Sequence, residues 1–186
     1  MYGPLFDLGD TFNKLEQLPT DAFGIVRNPH KTHPHIQSWF IGMRKSVFLS
    51  AWYDKFMRSV TKQIDKGSVT RLYEQGFSRL VIEHNQTWDC IYTCYGRSVY
   101  NDIKRLYRCG MPFMKKVALT RHRGALGRQI LYVLDHITPD ARDAILSSAH
   151  ATYGEKYTGW LLTRNPIKII YRNTAHFVHK ILTEEL

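Results

Sequence analysis

Cysteine is scarce in this chain, and long apolar runs are missing. Only three cysteines occur among 186 residues, an odd and sparse set that predicts no disulfide framework and favours a reducing compartment. No stretch of roughly 18 consecutive apolar residues occurs, so the sequence predicts no membrane-spanning helix. The first residues have neither the basic flank nor the apolar core of a signal peptide. We therefore expect a cytoplasmic protein.

Acidic residues are also few. Sixteen Asp and Glu against 26 Lys and Arg give a formal net charge of +10, which favours nucleotide diphosphates, nucleic acid or an anionic membrane surface as partners. A nucleic-acid binder would be expected to carry a helix-turn-helix, zinc-finger or RNA-binding signature, and the sequence has none. It therefore predicts no specific nucleic-acid partner.

The apolar residues predict strands in the first half of the chain. Their fraction of 44% is sufficient for a buried core. Asp21–Val26 has strand character, and Gln37–Met43 predicts a strand covered on both faces. A third short strand is predicted around Trp88–Tyr92. Together with intervening helices, these strands indicate a mixed α/β layer.

Helical spacing dominates elsewhere. Apolar side chains from Val69 to Val81 recur at i, i+3, i+4 and i+7, which predicts a helix with Ser68 as its N-cap. Beyond Gly110, Thr138 and Pro166 mark the start of further helices. The C-terminal region is therefore predicted to be entirely helical.

Five short segments carry a more specific signal. They are Tyr2–Leu5, Asp21–Ile25, His35–Phe40 followed by Lys45–Val47, Tyr73–Ser78 and, more weakly, Gly110–Lys115. In this order they resemble the rhamnan synthesis protein F family of glycosyltransferases, which is related to the nucleotide-sugar-binding α/β transferases of the A fold. The resemblance covers about residues 1–118.

The resemblance implies a fold and a division of the chain. Residues 1–118 would be the acceptor-side part of a glycosyltransferase domain, a partial A-fold-like mixed sheet with flanking helices. Residues 119–186 would be an α-helical C-terminal extension. The nucleotide-binding half, which precedes the Tyr-Gly-Pro segment in the family, is expected to be absent.

The resemblance also implies a function and its partners. The function would be transfer of a sugar such as rhamnose from a nucleotide-sugar donor, for example dTDP-rhamnose, to a lipid-linked glycan. The product would be a bacterial rhamnan, O-antigen or capsule, and the complete enzyme would use Mg²⁺ or Mn²⁺. The alternative is a truncated, non-catalytic remnant or an accessory module that binds glycan or protein.

Glu74 is the candidate catalytic base. It lies at the margin of the apolar face of its predicted helix, next to the small Gly76, and related transferases place an acidic base at the start of such a helix. Inverting glycosyl transfer needs a carboxylate that takes the proton of the acceptor hydroxyl. The structural alternative is a solvated glutamate paired with Arg71 or Arg79.

The predicted substrate-binding residues lie near two strands. His35, Gln37 and Ser38 stand at the mouth of a strand, where A-fold enzymes shape the donor and acceptor pocket; otherwise they satisfy backbone groups at the strand end. Asp21 and Gly24 would frame a turn against that pocket, although a strand-start aspartate and a packing glycine are also ordinary features.

No metal site is predicted from this sequence. His30, His33 and His35 are separated by three and two residues in a loop, a weak pattern for metal ligation. Cys90 and Cys94 are interpreted as small buried apolar residues.

The last helix is predicted to offer two faces. Apolar residues include Ile167 and Ile170, while basic or histidine side chains recur every four residues at Lys168, Arg172, His176 and Lys180. Such a helix can contact the cytoplasmic face of the inner membrane or pack as an ordinary surface helix.

Overall fold

A computed structural model describes residues 1–95, 98–120 and 126–184, except for the side chains of 176, 177 and 179–184. The chain forms two compact units. Gly9–Gly96 is called the sheet unit, and Met1–Leu8 with Arg97–Leu186 is called the helical unit. The mixed α/β class with a helical C-terminal region is confirmed, whereas the kinship with the A fold stays a prediction.

The sheet unit is built on one central strand. The strands are β1 (Ala22–Asn28), β2 (His35–Ile36), β3 (Ile41–Met43) and β4 (Trp88–Thr93). β4 pairs in parallel with β1 along most of its length, with Gly24 opposite Cys90, and so occupies one edge of β1. β3 and β2 pair antiparallel with the first and the last residues of β1, so they lie one after the other along its other edge.

Residues 37–40 interrupt the edge between β2 and β3. The prediction of a continuous strand over Gln37–Met43 was therefore wrong. The amide of Gln37 still donates to the carbonyl of Val26 at 2.9 Å, but the next residues turn, with the amide of Phe40 3.5 Å from the carbonyl of Gln37. The first four residues of this mostly apolar run instead form a short excursion from the sheet.

A long helix with a π-helical centre covers this sheet. It begins at Asp65, whose carboxylate accepts from the amide of Ser68 at 2.8 Å, so Asp65 and not Ser68 is the N-cap. Phe77 and Val81 project from it into the core of the unit, against Ile36. The helical elements of the sheet unit are α1 (Gly9–Glu16), α2 (Lys45–Phe48), α3 (Ala51–Arg58), α4 (Lys66–Val69), the π-helical segment Thr70–Gln75 and α5 (Gly76–Glu83).

The helical unit packs around its own apolar core. Thr138 caps α9 with its side chain, and Pro139 occupies the first helical position, as the sequence predicted. Leu119, Ile130, Val133 and Leu161 are fully buried in the core. Its elements are α6 (Ser98–Asn101), α7 (Ile103–Arg108), a 3₁₀ turn (Lys116–Thr120), α8 (Leu126–Leu134), α9 (Pro139–Tyr153), α10 (Glu155–Leu161) and α11 (Pro166–Glu184).

Candidate functional site

Glu74, the predicted base, lies inside the π-helical segment Thr70–Gln75. Its side chain is 22% exposed, so the carboxylate reaches the surface while remaining largely shielded. π-Helical turns are rare in proteins, and a large share of those that do occur lie at functional sites. The local backbone therefore distinguishes Glu74 from an ordinary glutamate on a solvated helix face, and none of the described ion pairs joins it to Arg71 or Arg79.

The neighbouring Tyr73 anchors the π-helical segment. Its hydroxyl accepts from the amide of Thr61 at 2.9 Å and from Nε2 of Gln63 at 2.7 Å, and donates to the carbonyl of Thr61 at 3.0 Å. The hydrogen bonds from Thr61 lower the pKa of the Tyr73 phenol. The segment is thus tied to the loop that precedes the helix.

Ser38 contacts Glu74 directly. The Ser38 hydroxyl donates to Oε1 of Glu74, joining the 37–40 excursion to the π-helical segment. A carboxylate acceptor makes this a charge-assisted hydrogen bond, which is stronger than one between neutral groups. The interruption of the sheet edge is what allows Ser38 to leave the ladder and reach the helix.

His35 faces the second oxygen of the same carboxylate. Its ring is buried, and Nε2 lies 3.8 Å from Oε2 of Glu74, beyond hydrogen-bond distance. Nδ1 lies 2.8 Å from the carbonyl oxygen of His33, and because a carbonyl only accepts, Nδ1 carries the hydrogen. In the neutral ring Nε2 therefore carries no hydrogen and does not donate to Glu74.

Ser78 links the strand that carries His35 to the helix that carries Glu74, a role that was not predicted. Its buried hydroxyl accepts from the amide of Ile36 at 3.0 Å and donates to the carbonyl of Glu74 at 3.2 Å. It therefore joins β2 to the π-helical segment. Its spacing of four residues from Glu74 was the available signal, since a serine hydroxyl commonly bonds the carbonyl four residues earlier in a helix.

Gln37 and Gly24 contact the residues of the excursion at 37–40 and of the adjoining β2. The Gln37 side chain is buried, and its Oε1 accepts from Nε1 of Trp39 at 3.2 Å. A Cβ at Gly24 would lie 2.3 Å from Cγ2 of Ile36 and 3.0 Å from the carbonyl oxygen of Phe40. Glycine is therefore required for the excursion to lie against β1.

Asp21 lies at the other end of β1 from the residues that pair with His35. Its carboxylate accepts from the amide and hydroxyl of Thr87 at 2.9 and 3.2 Å, and from the hydroxyl of Ser46 at 2.9 Å. These hydrogen bonds lower the pKa of Asp21, and the one from the Thr87 amide contributes most. The structure thus brings Glu74, His35 and Ser38 together, and it places Asp21 where three segments of the sheet meet.

The histidines and cysteines form no described metal site. The rings of His30 and His33 stack with centroids 5.8 Å apart, while Cys90 and Cys94 are buried. In the described parts of the chain, no group of three or more His, Cys, Asp or Glu side chains is placed to hold a metal ion. The Mg²⁺ or Mn²⁺ implied by the resemblance has no ligand set among those residues.

The carboxylate of Glu74 has the features of a general base. It is partly exposed, its orientation is fixed by Ser38, and an ionisable imidazole lies behind it. A base of this kind can take a proton from a hydroxyl that approaches within about 2.6–3.2 Å. The arrangement can therefore activate a hydroxyl group, such as that of a sugar.

The last helix differs from its predicted pattern. Arg172 is 1% exposed, and its guanidinium donates to the carbonyls of Trp160, at 3.3 Å, and Leu161. The prediction that Arg172 belongs to a basic surface was wrong, because carbonyls at the C-terminal end of α10 lack helical partners and attract a cation. The side chains of His176 and Lys180 lie outside the described residues.

Within the described ranges, none of the helices combines the length and the apolar character needed to cross a membrane. This result agrees with the sequence, which has no long apolar run.

Comparison with known proteins identifies the family. The sequence profile of the family described as rhamnan synthesis protein F matches residues 1–182. The match includes the C-terminal helices, so the expectation that the resemblance ends near residue 118 was wrong. No curated protein and no solved structure matches the chain. The chain belongs to the rhamnan synthesis protein F family, and its role is in the synthesis of rhamnan or a related polysaccharide.

Proposed function

We propose that this protein is a glycosyltransferase that moves a sugar such as rhamnose from a nucleotide-sugar donor to a lipid-linked glycan, with Glu74 as the general base. The observation that supports this proposal is the cluster of Ser38, His35 and Glu74 on a π-helical segment. The products would be rhamnan, O-antigen or capsule.

Each residue of the cluster has a role in the proposed transfer. The acceptor hydroxyl attacks the anomeric carbon of the donor, its proton passes to Glu74, and the nucleotide diphosphate leaves. Ser38 orients the carboxylate, and the buried ring of His35 lies beside it. Ser78 positions the π-helical segment against β2 and does not contact the reacting groups.

The test is Glu74→Gln in the full-length protein, expressed in cells that lack the natural gene, with the amount of surface polymer measured. Removal of a general base is expected to slow transfer about 10²–10⁴-fold. Glu16→Gln is the matched control, because Glu16 is an exposed carboxylate of the same unit. Wild-type polymer from Glu74→Gln would reject Glu74 as the base.

The same experiment favours the enzyme over an accessory module when polymer production is lost. Cells that lack an accessory glycan- or protein-binding protein would also fail to form polymer. Its Glu74→Gln variant would restore full production in those cells, because binding does not need a general base. A transferase would lose production in that variant while the folded protein is still present, which circular dichroism of the purified variant would show.

We further propose that the helical unit contacts the cytoplasmic surface of the inner membrane. A groove of about 1020 Å³ is lined by aromatic side chains and by two lysines against one glutamate: Tyr157, Trp160, Tyr171, Lys156, Lys168 and Glu155. Aromatic rings with polar tips, combined with lysines, are typical of surfaces that bind an anionic lipid interface. The exposed Ile167 and Ile170 extend this apolar surface.

Sedimentation with vesicles tests this contact. Vesicles rich in phosphatidylglycerol should bind the protein, and vesicles of phosphatidylcholine alone should bind it less. Lys156→Gln with Lys168→Gln should weaken binding about 30-fold, since each lysine near such a surface contributes about 1 kcal/mol. Lys62→Gln, at an exposed site in the sheet unit, is the control. Equal binding to both vesicle types would contradict the proposal.

A further inference from the structure

A strongly basic pocket lies in the sheet unit beside the Glu74 cluster. It has a volume of about 520 Å³, within the range of small-ligand sites. None of its described lining residues is an aspartate or glutamate. The lining includes three arginines, Arg27, Arg71 and Arg79, together with Thr32, His33 and Gln75.

The pocket and the cluster use the same two structural elements. His33, which lines the pocket, provides the carbonyl that orients His35. Ser78, also in the lining, bonds the carbonyl of Glu74. Arg71 and Arg79 lie on the helix that carries Glu74, three residues before it and five after it. A ligand in the pocket would therefore lie close to the proposed base.

Arg79 and Arg27 are only weakly engaged. Arg79 pairs with Glu83 at 3.2 Å, and Arg27 approaches Asp89 at 3.8 Å, with all four side chains at least 39% exposed. Exposed pairs of this kind contribute about 0–1 kcal/mol, so an incoming anion can replace the carboxylates at little cost.

Arg71 and Arg27 also have unused hydrogen-bonding capacity. Arg71 makes no ion pair within 4.0 Å to a described carboxylate. The buried Nε of Arg27 has no hydrogen-bond partner among the described atoms. Its guanidinium lies over the ring of Trp88, 5.2 Å from the centroid, which holds the group in position.

We propose that this pocket binds a phosphate or diphosphate group. Guanidinium groups form paired, charge-assisted hydrogen bonds with phosphate oxygens, and three of them around one cavity supply the charge that a diphosphate requires. The inference deepens the proposed function, because both the sugar donor and a lipid-linked acceptor carry such a group. The binding itself does not require Glu74.

Calorimetric titration of the purified protein with inorganic pyrophosphate at low salt tests the site. We expect binding that weakens as salt is added, and a dissociation constant raised about tenfold by Arg71→Gln or by Arg79→Gln. Arg58→Gln is the matched control, since Arg58 is an exposed arginine of the same unit, outside the pocket lining, and pairs with Asp54 at 2.8 Å. Absent pyrophosphate binding, or equal weakening by all three substitutions, would overturn the proposal.

Two further ligands identify the source of the diphosphate. Thymidine diphosphate binding about tenfold more tightly than pyrophosphate would assign the pocket to the nucleotide-sugar donor. Farnesyl diphosphate binding more tightly by the same factor would assign it to the lipid-linked acceptor. In either case Arg71→Gln must weaken binding of the preferred ligand, and an unchanged affinity for that ligand in Arg71→Gln would contradict the pocket assignment.

The outcome is independent of the proposed base. Glu74→Gln removes a negative charge near the pocket, so this variant should bind pyrophosphate at least as tightly as the wild type. Normal polymer production by Glu74→Gln would reject the base and leave the anion pocket intact. Loss of polymer in Glu74→Gln without pyrophosphate binding in any form of the protein would reject the pocket and retain the base.

Discussion

The Ser38 hydroxyl donates a hydrogen bond to the Glu74 carboxylate across 36 residues of sequence. The two residues come from different kinds of irregular backbone. Ser38 lies where the sheet edge is interrupted, and Glu74 lies where the helix widens into a π-helical turn. Each irregularity places one partner of the contact, so the geometry of the candidate site depends on both.

Ser38→Ala should lower polymer production without unfolding the protein. The substitution removes the donor that orients Glu74, and we expect about a tenfold loss of transfer rate, smaller than that of Glu74→Gln. Polymer yield and the thermal midpoint of the purified variant are the measurements. Ser59→Ala is the control, because the Ser59 hydroxyl donates only to the nearby carbonyl of Phe56 at 2.6 Å. Full polymer yield from Ser38→Ala would contradict the orienting role.

Gly24→Ala should destabilise the sheet unit by about 1–3 kcal/mol, the usual cost of overpacking a core. The new methyl group would lie 2.3 Å from Cγ2 of Ile36, and the excursion over Phe40 would have to shift. Urea unfolding followed by tryptophan fluorescence measures the change. Gly76→Ala is the control, because its methyl group would meet its nearest neighbour, the carbonyl of Arg71, at 3.7 Å. Equal midpoints for the two variants would refute the packing argument.

Regular elements of this fold could be predicted from sequence because their signals are local. Asp21–Val26 and Trp88–Tyr92 were predicted as strands and correspond to β1 and β4. The start of α9 was also predicted, since Thr138 and Pro139 determine it by their own chemistry.

The irregular elements could not be predicted from local pattern. The apolar spacing from Val69 to Val81 is that of an uninterrupted α-helix, so it gave no indication of the π-helical segment Thr70–Gln75. The break at 37–40 depends on packing over Gly24, which lies far away in sequence. Burial of Arg172 likewise depends on distant carbonyls, and arginine is almost never buried without such partners.

For the same reason, the candidate site was predictable only in part. Glu74, His35 and Ser38 were selected and are found together. Ser78 was overlooked as a functional residue, because its importance comes from the amide of Ile36, 42 residues away. Contacts between distant segments are set by the tertiary structure, and one sequence does not show them.

Asp21 should make stability dependent on pH. Its pKa is lowered in the folded protein by the hydrogen bonds from Thr87 and Ser46, relative to about 3.9 in an unfolded chain. The stabilisation is therefore complete above the unfolded value and is lost as pH falls through the folded one. Asp21→Asn should have a lower urea midpoint than the wild type near neutral pH. The difference should shrink below about pH 4, and a constant difference would contradict the assignment.

The cysteines should differ in reactivity. Burial raises the pKa of the Cys90 thiol to about 12, so its thiolate fraction at pH 8 is on the order of 10⁻⁴. Cys109 is exposed, whereas Cys94 is buried. Iodoacetamide at pH 8 should label Cys109 in the native protein and all three cysteines in urea, as measured by peptide mass spectrometry. Rapid labelling of Cys90 in the native protein would contradict the burial of its thiol.

The π-helical segment changes the direction in which Glu74 points around the helix axis, relative to the residues that follow it. An i to i+5 turn holds one residue more than an α turn, and one residue corresponds to about 100° of rotation. Phe77 and Val81 fix the phase of the helix from the core side. Deleting Gln75 would let the helix continue as a regular α-helix and would swing Glu74 about a quarter turn relative to those anchors. In evolutionary terms, a single-codon deletion here could leave a folded protein whose carboxylate no longer meets Ser38.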